Sequence, residues 1–273
     1  YRLIYGENDG LPGLIIDIYN QVSVVKLYSA IWLTYLNTLV HLIVEIVGCK
    51  TIILRLNRQL QKNLKDEELY EGKILHGDLK QEVVVFKEHG LLFSANVIKG
   101  HKTGYFLDHR HNRKKVGEMS KNARVLDVFS YAGGFSVHAL VGGAREVLSI
   151  DISAKALEMC QANAALNKHN GQHRTWAVDA FKGLEQLKKE QQLFDIVVID
   201  PPSFAKKEQE VSGAIMGYKR LAKAGLAVVK DNGWLVLASC SARVKSSIFF
   251  DTIESILYNS NKKITAKYKT GHD

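Results

Sequence analysis

The part of the chain between Arg124 and Tyr258 alternates short apolar runs with longer segments of helical periodicity. Such runs predict β-strands and such segments predict α-helices, giving five strand–helix pairs in this region. The predicted strands are Arg124–Phe129, Glu146–Ile150, Thr175–Val178, Phe194–Ile199 and Trp234–Ser239. The predicted helices are Phe135–Val141, Ala154–Asn167, Leu184–Glu190, Gly213–Val229 and Lys245–Tyr258. Consecutive strand–helix units build a mostly parallel sheet with helices on both faces, so the sequence predicts an α/β, Rossmann-like fold.

The residues before about position 97 follow a different pattern. Leu14–Asp17 and Val22–Leu27 flank a short polar turn and predict a β-hairpin. Ala30–Val47 has the periodicity of one amphipathic helix that ends at Gly48. Further strands are predicted at Thr51–Leu56, Glu82–Lys87 and Leu91–Ala95. We therefore expect a small α+β domain at residues 1–97 and the Rossmann-like domain at residues 98–273.

The chain is basic, with 37 Lys and Arg against 28 Asp and Glu, a formal net charge of +9 and a pI of about 9.3. A positive balance suits a polyanionic partner such as nucleic acid. Basic and histidine side chains concentrate between Lys99 and Lys115, which is either a solvated helix face or a nucleic-acid surface.

The cysteines and the apolar segments indicate the setting. Cys49, Cys160 and Cys240 have neither the spacing of a metal site nor that of a disulfide framework, so no bound metal and a reducing, cytoplasmic location are expected. Polar residues interrupt Ile31–Val47, the longest apolar segment, so we expect no membrane partner.

The predicted strand Phe194–Ile199 is continuously apolar, as a strand buried on both faces would be. It is followed by an acid, two prolines and an aromatic ring, in the order Asp200-Pro201-Pro202-Ser203-Phe204. In an open α/β sheet the loops at the carboxyl ends of the strands form the ligand crevice. An acid, a rigid corner and a ring at that edge are suited to a flat, hydrogen-bonding ligand such as a nucleobase.

Carboxylates also follow the other predicted strands. Asp127 lies near the end of the first strand, before Gly133 and Gly134, and Asp151 follows the second strand, where an acid binds ribose hydroxyls in this architecture. A negative charge at Asp127 favours a sulfonium or amino group over a pyrophosphate. These features predict S-adenosylmethionine as the cofactor, with Asp179 accepting from its adenine amino group. Asp151 is alternatively an ordinary acid at a helix N-terminus, and Asp179 a turn or cap residue.

Cys240 follows the last predicted strand, beside the strand that ends at Asp200. A thiol at this edge is a candidate nucleophile, because the thiolate is the strongest common protein nucleophile. The alternative is a small core residue at the end of a strand. With a methyl donor and a base-binding acid, a nucleophilic Cys240 predicts addition to carbon 6 of a pyrimidine and methylation at carbon 5.

At these residues the chain resembles class I S-adenosylmethionine-dependent methyltransferases. More narrowly, it resembles the bacterial 23S ribosomal RNA 5-methylcytosine methyltransferase family typified by RlmI. The resemblance covers essentially the whole chain and rests on the motifs Gly6–Leu14, Lys102–Arg110, Phe129–Ser136, Asp200–Phe204 and Ser239–Ser241. It implies a Rossmann-like class I methyltransferase sheet preceded by a central α+β domain with an RNA-binding role. It also implies that a PUA-type N-terminal domain and the C-terminal end of the family pattern are absent from this chain.

The resemblance implies roles for individual residues. Cys240 would be the nucleophile and Asp200 the acid that holds the base. Pro201, Pro202 and Phe204 would contact that base, which must leave its stack to be reached. Residues expected to bind the cofactor are Lys102, Thr103, Asp127, Phe129, Ser130, Tyr131, Gly133, Gly134, Asp151, Ile152, Asp179, Ala180 and Asp200.

Some expectations remain alternatives at this point. Many RNA 5-methylcytosine enzymes carry a second cysteine where this chain has Ser203, so either Asp200 or water would remove the carbon-5 proton. An RNA purine amino- or ring-nitrogen methyltransferase would need no cysteine. A non-catalytic RNA-binding assembly factor would keep the fold without the activity, and a nicotinamide dehydrogenase is disfavoured because the G-x-G-x-x-G fingerprint is missing. The expected partner is large-subunit ribosomal RNA, and the chain is a candidate homodimer.

Overall fold

The structure, a computed structural model, describes residues 1–64, 68–260 and 262–271. It divides the chain into two units, Tyr1–Asp108 and His109–Asp273. The division falls later than the predicted boundary at residue 97, because the following segment bonds within the first unit, where Arg55 Nη2 donates to the Gly100 carbonyl over 3.0 Å. The end of the predicted second domain, residues 272–273, lies outside the described residues. Among the helices described, none combines the length and apolarity needed to cross a bilayer.

The first unit contains a five-stranded sheet and a separate two-stranded ribbon. Its strands are β1 (Arg2–Tyr5), β2 (Leu14–Tyr19), β3 (Val22–Leu27), β4 (Thr51–Leu56), β5 (Ile74–His76), β6 (Val83–Glu88) and β7 (Leu91–Asn96). Its helices are α1 (Ile31–Thr34), α2 (Leu36–Val47) and α3 (Arg58–Asn63). The sheet order is β1-β2-β3-β4-β5, and only the β3–β4 pair is parallel among these neighbours. The predicted hairpin is present, whereas β1, β5 and α3 were not predicted.

The helix predicted at Ala30–Val47 is interrupted. Tyr35 leaves the helical conformation with φ −99° and ψ 6°, which separates α1 from α2. The apolar periodicity continues through this break, so the sequence pattern did not reveal it. Helix α2 ends as predicted at Gly48, whose φ of 69° is the left-handed conformation that glycine adopts without strain.

A buried polar cluster holds the segment that precedes the second unit. Asp17 on β2 is fully buried and accepts from Arg2 Nε over 2.8 Å and from Arg2 Nη2 over 3.0 Å. Thr103 Oγ1 donates to Asp17 Oδ2 over 2.5 Å and lies 2.8 Å from the Tyr19 hydroxyl. A buried carboxylate is stable only when it is paired and hydrogen-bonded, and both conditions are met here. The cluster therefore fixes the backbone near Thr103 to β2.

The second unit is a five-stranded parallel sheet with the order β10-β9-β8-β11-β12. Its strands are β8 (Arg124–Val128), β9 (Glu146–Asp151), β10 (Gln172–Ala177), β11 (Phe194–Ile199) and β12 (Val229–Leu237). Its helices are α4 (Arg110–Met119), α5 (Gly134–Val141), α6 (Ala154–Ala165), α7 (Ala180–Lys189), α8 (Val211–Val228) and α9 (Ser246–Tyr258). The predicted α/β fold is confirmed, and the bounds predicted for β11 are those observed.

The order of the strands fixes where a ligand can bind. The chain runs outward from β8 to β9 and β10, then returns to place β11 and β12 on the other side of β8. The reversal occurs between β8 and β11, and a crevice opens outside the carboxyl ends of the strands at such a switch point. Fully buried apolar side chains hold these strands in place, among them Leu126, Val128, Ile150, Val197 and Ile199.

Candidate active site

The loop that follows β8 has an unusual backbone. Phe129, Tyr131 and Gly133 have φ of 65°, 46° and 80°, all in the left-handed region. Only glycine adopts this region without cost, so Phe129 and Tyr131 are held there by their surroundings. Part of the support comes from β9, because the Ser130 amide donates to the Ile150 carbonyl over 3.0 Å. Backbone strain of this kind concentrates at ligand sites, which makes the Phe129–Gly133 loop a candidate binding loop.

Asp151 ties this loop to the next strand and helix. Its Oδ2 accepts from the Tyr131 amide over 2.9 Å, and its Oδ1 accepts from the Ser153 amide over 2.9 Å. The side chain is only partly buried, and each carboxylate oxygen can accept a second hydrogen bond. Ile152 beside it is 76% exposed, which offers an apolar surface next to the acid. An accessible acid beside an apolar surface suits a ribose with its attached base.

Asp127 does not have the exposed charge that the sequence analysis assumed. It lies within β8, is 1% exposed, and its Oδ2 accepts from the Ser136 amide over 3.0 Å and from Ser136 Oγ over 2.6 Å. Burial raises the pKa of Asp127 to about 7, against the hydrogen bonds from Ser136 and with help from the charges of Asp200 and Asp151. The bonds from Ser136 give Asp127 an internal role, which is to hold the start of α5, and its contribution to cofactor binding stays a prediction.

The bonds of Asp127 continue into a buried polar chain. Ser136 Oγ lies 2.7 Å from Ser149 Oγ, which lies 2.8 Å from His173 Nε2. Cys160 Sγ lies 3.6 Å from both Ser149 Oγ and His173 Nε2. Burial, with a smaller contribution from the charge of His169, lowers the pKa of His173 to about 4. This chain connects the middle of the sheet to α5 and α6.

Two titrating groups of this buried hydrogen-bond network, Asp127 and His173, change the free energy of unfolding in opposite directions as the pH rises. Folded Asp127 keeps its proton up to about pH 7 and the unfolded chain does not, so the stabilisation from this proton is lost as pH rises toward 7. Folded His173 stays neutral down to about pH 4, so its contribution is lost as pH falls from its unfolded value toward 4. Between about pH 4.5 and 6.5 the two slopes, each up to about 1.4 kcal/mol per pH unit, oppose each other.

We therefore expect Asp127→Asn to make the free energy of unfolding rise with pH across this window, because only the His173 slope remains. The amide oxygen introduced by the substitution can still accept from Ser136, so a hydrogen bond persists while the titration is lost. Urea unfolding at a series of pH values measures the effect. His173→Gln is the matched control and should give the opposite slope, and parallel pH curves for the wild type and Asp127→Asn would contradict the assignment.

Asp179, which follows β10, is the N-cap of α7, as one of the two interpretations of the sequence predicted. Asp179 Oδ1 accepts from the amides of Phe181 and Lys182, each over 3.1 Å, and so caps α7. This cap starts α7 at Ala180, earlier than the predicted Leu184. Ala180 is 5% exposed, so its side chain offers almost no surface to a ligand, and its cofactor contact stays a prediction. The adenine contact of Asp179 stays a prediction that would use its other oxygen.

Lys102 and Thr103 belong to the first unit. Thr103 is 1% exposed and its hydroxyl bonds to Asp17 and Tyr19, which gives this side chain a structural role, and its cofactor contact stays a prediction. Lys102 is exposed, and its Nζ lies 3.3 Å from Asp108 Oδ1 and 4.3 Å from the centre of the Phe106 ring.

Cys240 and Asp200 lie together at the carboxyl edge of the second unit. The Asp200 amide donates to the Val128 carbonyl over 3.3 Å, which joins the end of β11 to the end of β8. Cys240 Sγ lies 3.6 Å from Asp200 Oδ1 and 3.9 Å from His109 Nε2. Both distances are within hydrogen-bonding range for sulfur. The half-buried thiol therefore lies between a carboxylate and an imidazole at the switch point of the sheet.

His109 is the site residue that the sequence analysis missed. His109 lies among the basic side chains between Lys99 and Lys115. This position alone does not distinguish it from His101 or His111. The available signal was its position at the end of the Lys102–Arg110 motif, directly before α4.

The two other cysteines differ from Cys240 in their surroundings. Burial raises the pKa of Cys160 to about 12 and raises the pKa of Cys49 above its usual value. A thiol with a raised pKa is almost entirely protonated at neutral pH and is a poor nucleophile. Cys49 and Cys160 are therefore structural residues.

Phe204, one of the residues predicted to contact a base, is fixed by hydrogen bonds and ring packing on the side away from the proposed base. The Phe204 amide donates to Ser241 Oγ over 2.9 Å, and the Phe204 ring packs 5.2 Å from the Tyr218 ring. The Tyr218 hydroxyl accepts from Ser239 Oγ and lies within 2.8 Å of Ser241 Oγ. These contacts join the loop after β11 to the loop after β12. Pro201 is buried and Pro202 exposed, so Pro202 and the remaining open face of Phe204 are the surfaces available to a ligand.

A model of the S-adenosylmethionine-dependent methyltransferases matches residues 21–243, which is most of the chain. The chain belongs to this family. The prediction of a class I methyltransferase with S-adenosylmethionine as cofactor is thereby confirmed. The charges of Asp151 and Asp200 lie close enough to Asp127 to raise its pKa, so these acids belong to one site.

Curated relatives of this chain carry more specific names. It is 42% identical over 264 residues to a ribosomal RNA large subunit methyltransferase of Deinococcus radiodurans, covering 96% of this chain and 65% of the relative. It is 34% identical over 265 residues to ribosomal RNA large subunit methyltransferase I of Aliivibrio fischeri, covering 97% of this chain and 66% of the relative. The chain thus spans slightly less than two thirds of the length of these relatives.

Solved structures share the fold of this chain. The protein SMU.776, crystallised with SAH, superposes with a TM-score of 0.82 at 24% identity, over 96% of this chain and 66% of that one. The tRNA m1G37 methyltransferase of M. jannaschii superposes with a TM-score of 0.53 at 19% identity, over 80% and 56% of the two chains. At these identities the likeness concerns the fold alone.

Proposed function

We propose that this chain methylates carbon 5 of a cytosine in large-subunit ribosomal RNA through a covalent adduct with Cys240. The observation that carries the proposal is the 3.6 Å distance between Cys240 Sγ and Asp200 Oδ1 at the carboxyl edge of the sheet. The names of the curated relatives support the RNA class, and the net charge of +9 suits an RNA partner.

The proposed chemistry begins with the weak nucleophilicity of carbon 5. S-adenosylmethionine, when bound, supplies an activated methyl group on a sulfonium. The Cys240 thiolate attacks carbon 6, which forms a C–S bond and places electron density on carbon 5, while N3 gains a proton from Asp200. Carbon 5 then takes the methyl group. Water or Asp200 then removes the carbon-5 proton as the C–S bond breaks, which re-forms the ring double bond and releases the Cys240 thiolate. N3 gives up its added proton to whichever of Asp200 and water has not taken the carbon-5 proton, so the cytosine product is neutral.

The carboxyl group of Asp200 suits both tasks in this scheme. In its acid form it donates to N3 of a neutral cytosine, which is an acceptor. In its ionised form it accepts from the exocyclic amine or from the Cys240 thiol. Pro202 and the open face of Phe204 would flank the base once it has left its stack.

The first unit and the remaining site residues fit the same proposal. Residues 1–97 would contribute RNA contacts, and residues of the Phe129–Gly133 loop, Asp151 and Ile152 would hold the cofactor. The cytoplasm is the proposed location, because three cysteines without a disulfide pattern suit a reducing setting. The homodimer remains a prediction.

Nucleoside analysis tests the reaction. Purified protein is incubated with methyl-labelled S-adenosylmethionine and large-subunit ribosomal RNA, and the digested nucleosides are separated and identified by mass spectrometry. The expected product is labelled 5-methylcytidine. A labelled N-methyl purine would instead support an amino- or ring-nitrogen methyltransferase, and S-adenosylmethionine binding without any transfer to RNA would favour an assembly factor.

A further inference from the structure

His109 is placed and oriented by the start of α4. It is the residue before the helix, has φ of 65° and is 8% exposed. Its two ring nitrogens face different groups: Nδ1 lies 3.1 Å from Asn112 Nδ2, and Nε2 lies 3.9 Å from Cys240 Sγ. A ring with a contact at each nitrogen has little freedom to rotate, so the same nitrogen stays directed at the sulfur.

The Asn112 contact selects the tautomer of His109. The Nδ2 atom of Asn112 faces the ring, and an amide NH₂ group can only donate. Nδ1 must then accept, so a neutral ring carries its proton on Nε2. The N–H group therefore points toward Cys240 Sγ, which accepts hydrogen bonds best as the thiolate.

On the other side of the sulfur lies a proton acceptor. Cys240 Sγ is 3.6 Å from Asp200 Oδ1, within reach of an S–H donor. The row Asn112, His109, Cys240, Asp200 thus has one consistent direction of donation, in which each donor faces an acceptor. In this arrangement the Cys240 thiol can transfer its proton to Asp200.

We infer that His109 is a catalytic residue that donates its Nε2–H to the Cys240 thiolate, with Asn112 as the positioning residue that keeps the proton on Nε2. The inference rests on the proposed function and deepens it. The Cys240 S–H bond breaks, an O–H bond forms on Asp200, and the negative charge left on sulfur is stabilised by His109. The same proton is then available on Asp200 for N3 of the cytosine as the C–S bond forms. No co-reactant is required.

Two substitutions of His109 distinguish the effect of its N–H group from the effect of the space that its ring fills. His109→Gln keeps a side-chain N–H donor of similar reach, whereas His109→Leu fills similar space without one. A hydrogen bond to a charged group contributes enough to change a rate by about 10- to 150-fold. We expect His109→Leu to slow both alkylation of Cys240 by iodoacetamide and methyl transfer by a factor in this range, and His109→Gln to recover much of both rates.

Alkylation is measured without RNA or cofactor by mass spectrometry of the Cys240 peptide, so it reports on the thiol alone. The matched control is His111→Leu in α4, an exposed histidine whose replacement should leave the alkylation rate unchanged, since alkylation is measured without RNA. Asn112→Asp should slow alkylation as well, because a carboxylate at this position draws the ring proton to Nδ1.

The outcomes distinguish this inference from the proposed function. Equal alkylation rates for the wild type and His109→Leu would overturn the inference, whatever happens to methyl transfer. Equal losses in His109→Gln and His109→Leu would also overturn it, because they would indicate packing. If Cys240→Ala still methylates carbon 5, the proposed function fails, although the alkylation results for His109 would stand by themselves.

Discussion

Cys240→Ala is expected to lower methyl transfer to carbon 5 by about 10⁴-fold or more, because no other described thiol can form the adduct. Cys160 and Cys49 are held protonated by burial, and Cys240 alone lies beside Asp200 and His109 among the described cysteines. Transfer is measured with labelled S-adenosylmethionine and large-subunit ribosomal RNA, under single-turnover conditions so that product release does not limit the rate.

Two controls complete the Cys240 experiment. Cys49→Ser removes a buried thiol of the first unit and should leave the transfer rate close to that of the wild type. Cofactor binding by Cys240→Ala, followed by calorimetry, should persist, because the candidate binding loop Phe129–Gly133 is held by contacts to Ile150 and Asp151 rather than to Cys240. Transfer to carbon 5 by Cys240→Ala at a rate near that of the wild type would remove the basis of the proposed mechanism.

Gly133→Ala is expected to lower the free energy of unfolding by about 2–5 kcal/mol, for two separate reasons. A left-handed conformation costs any residue with a Cβ about 1–2 kcal/mol, and Gly133 has φ of 80°. A Cβ at this position would also lie 2.4 Å from Cys160 Sγ, and 3.2 Å from both Cα and Cβ of Cys160. Such overpacking typically adds about 1–3 kcal/mol. Urea unfolding measures the total.

The same substitution should weaken cofactor binding, since Gly133 connects the Phe129–Gly133 loop to α5. Gly143→Ala is the matched control: its φ is 93°, but the nearest atom to an added Cβ is Lys121 Cα at 3.7 Å, so only the conformational cost applies. Combining Gly133→Ala with Cys160→Ala should recover part of the loss, because the closest contact is removed. If Gly133→Ala and Gly143→Ala lose the same stability, the tight contact with Cys160 contributes nothing.

The fold of the second unit was predictable because its signals are local. The strand Phe194–Ile199 is bounded by an acid and two prolines, and Ser153 caps α6 by accepting from the Ala156 amide over 3.2 Å. Repetition of such strand–helix units leaves few topologies, so local patterns determined the sheet. The break at Tyr35 was not predictable, because it does not interrupt the apolar periodicity.

Within the site, the sequence indicated which residues lie at one edge but not how each side chain is used. The neighbouring strand ends bring Asp200 and Cys240 together, as the parallel arrangement predicts. The burial of Asp127 depends on Ser136 and on which face of β8 it occupies, and the role of Thr103 depends on Asp17, which is distant in sequence. Such long-range contacts leave no local pattern, so His109 beside Cys240 was also missed.

A covalent trap tests the central claim most directly. RNA that carries 5-fluorocytidine at the target position can accept the thiol and the methyl group, but the fluorine on carbon 5 cannot leave as a proton does, so the C–S bond should persist. With S-adenosylmethionine present, we predict an RNA–protein adduct that survives denaturation and maps to the Cys240 peptide by mass spectrometry. Methylation of ordinary cytosine at carbon 5 with no adduct on the fluorinated RNA, or an adduct on another residue, would contradict the account.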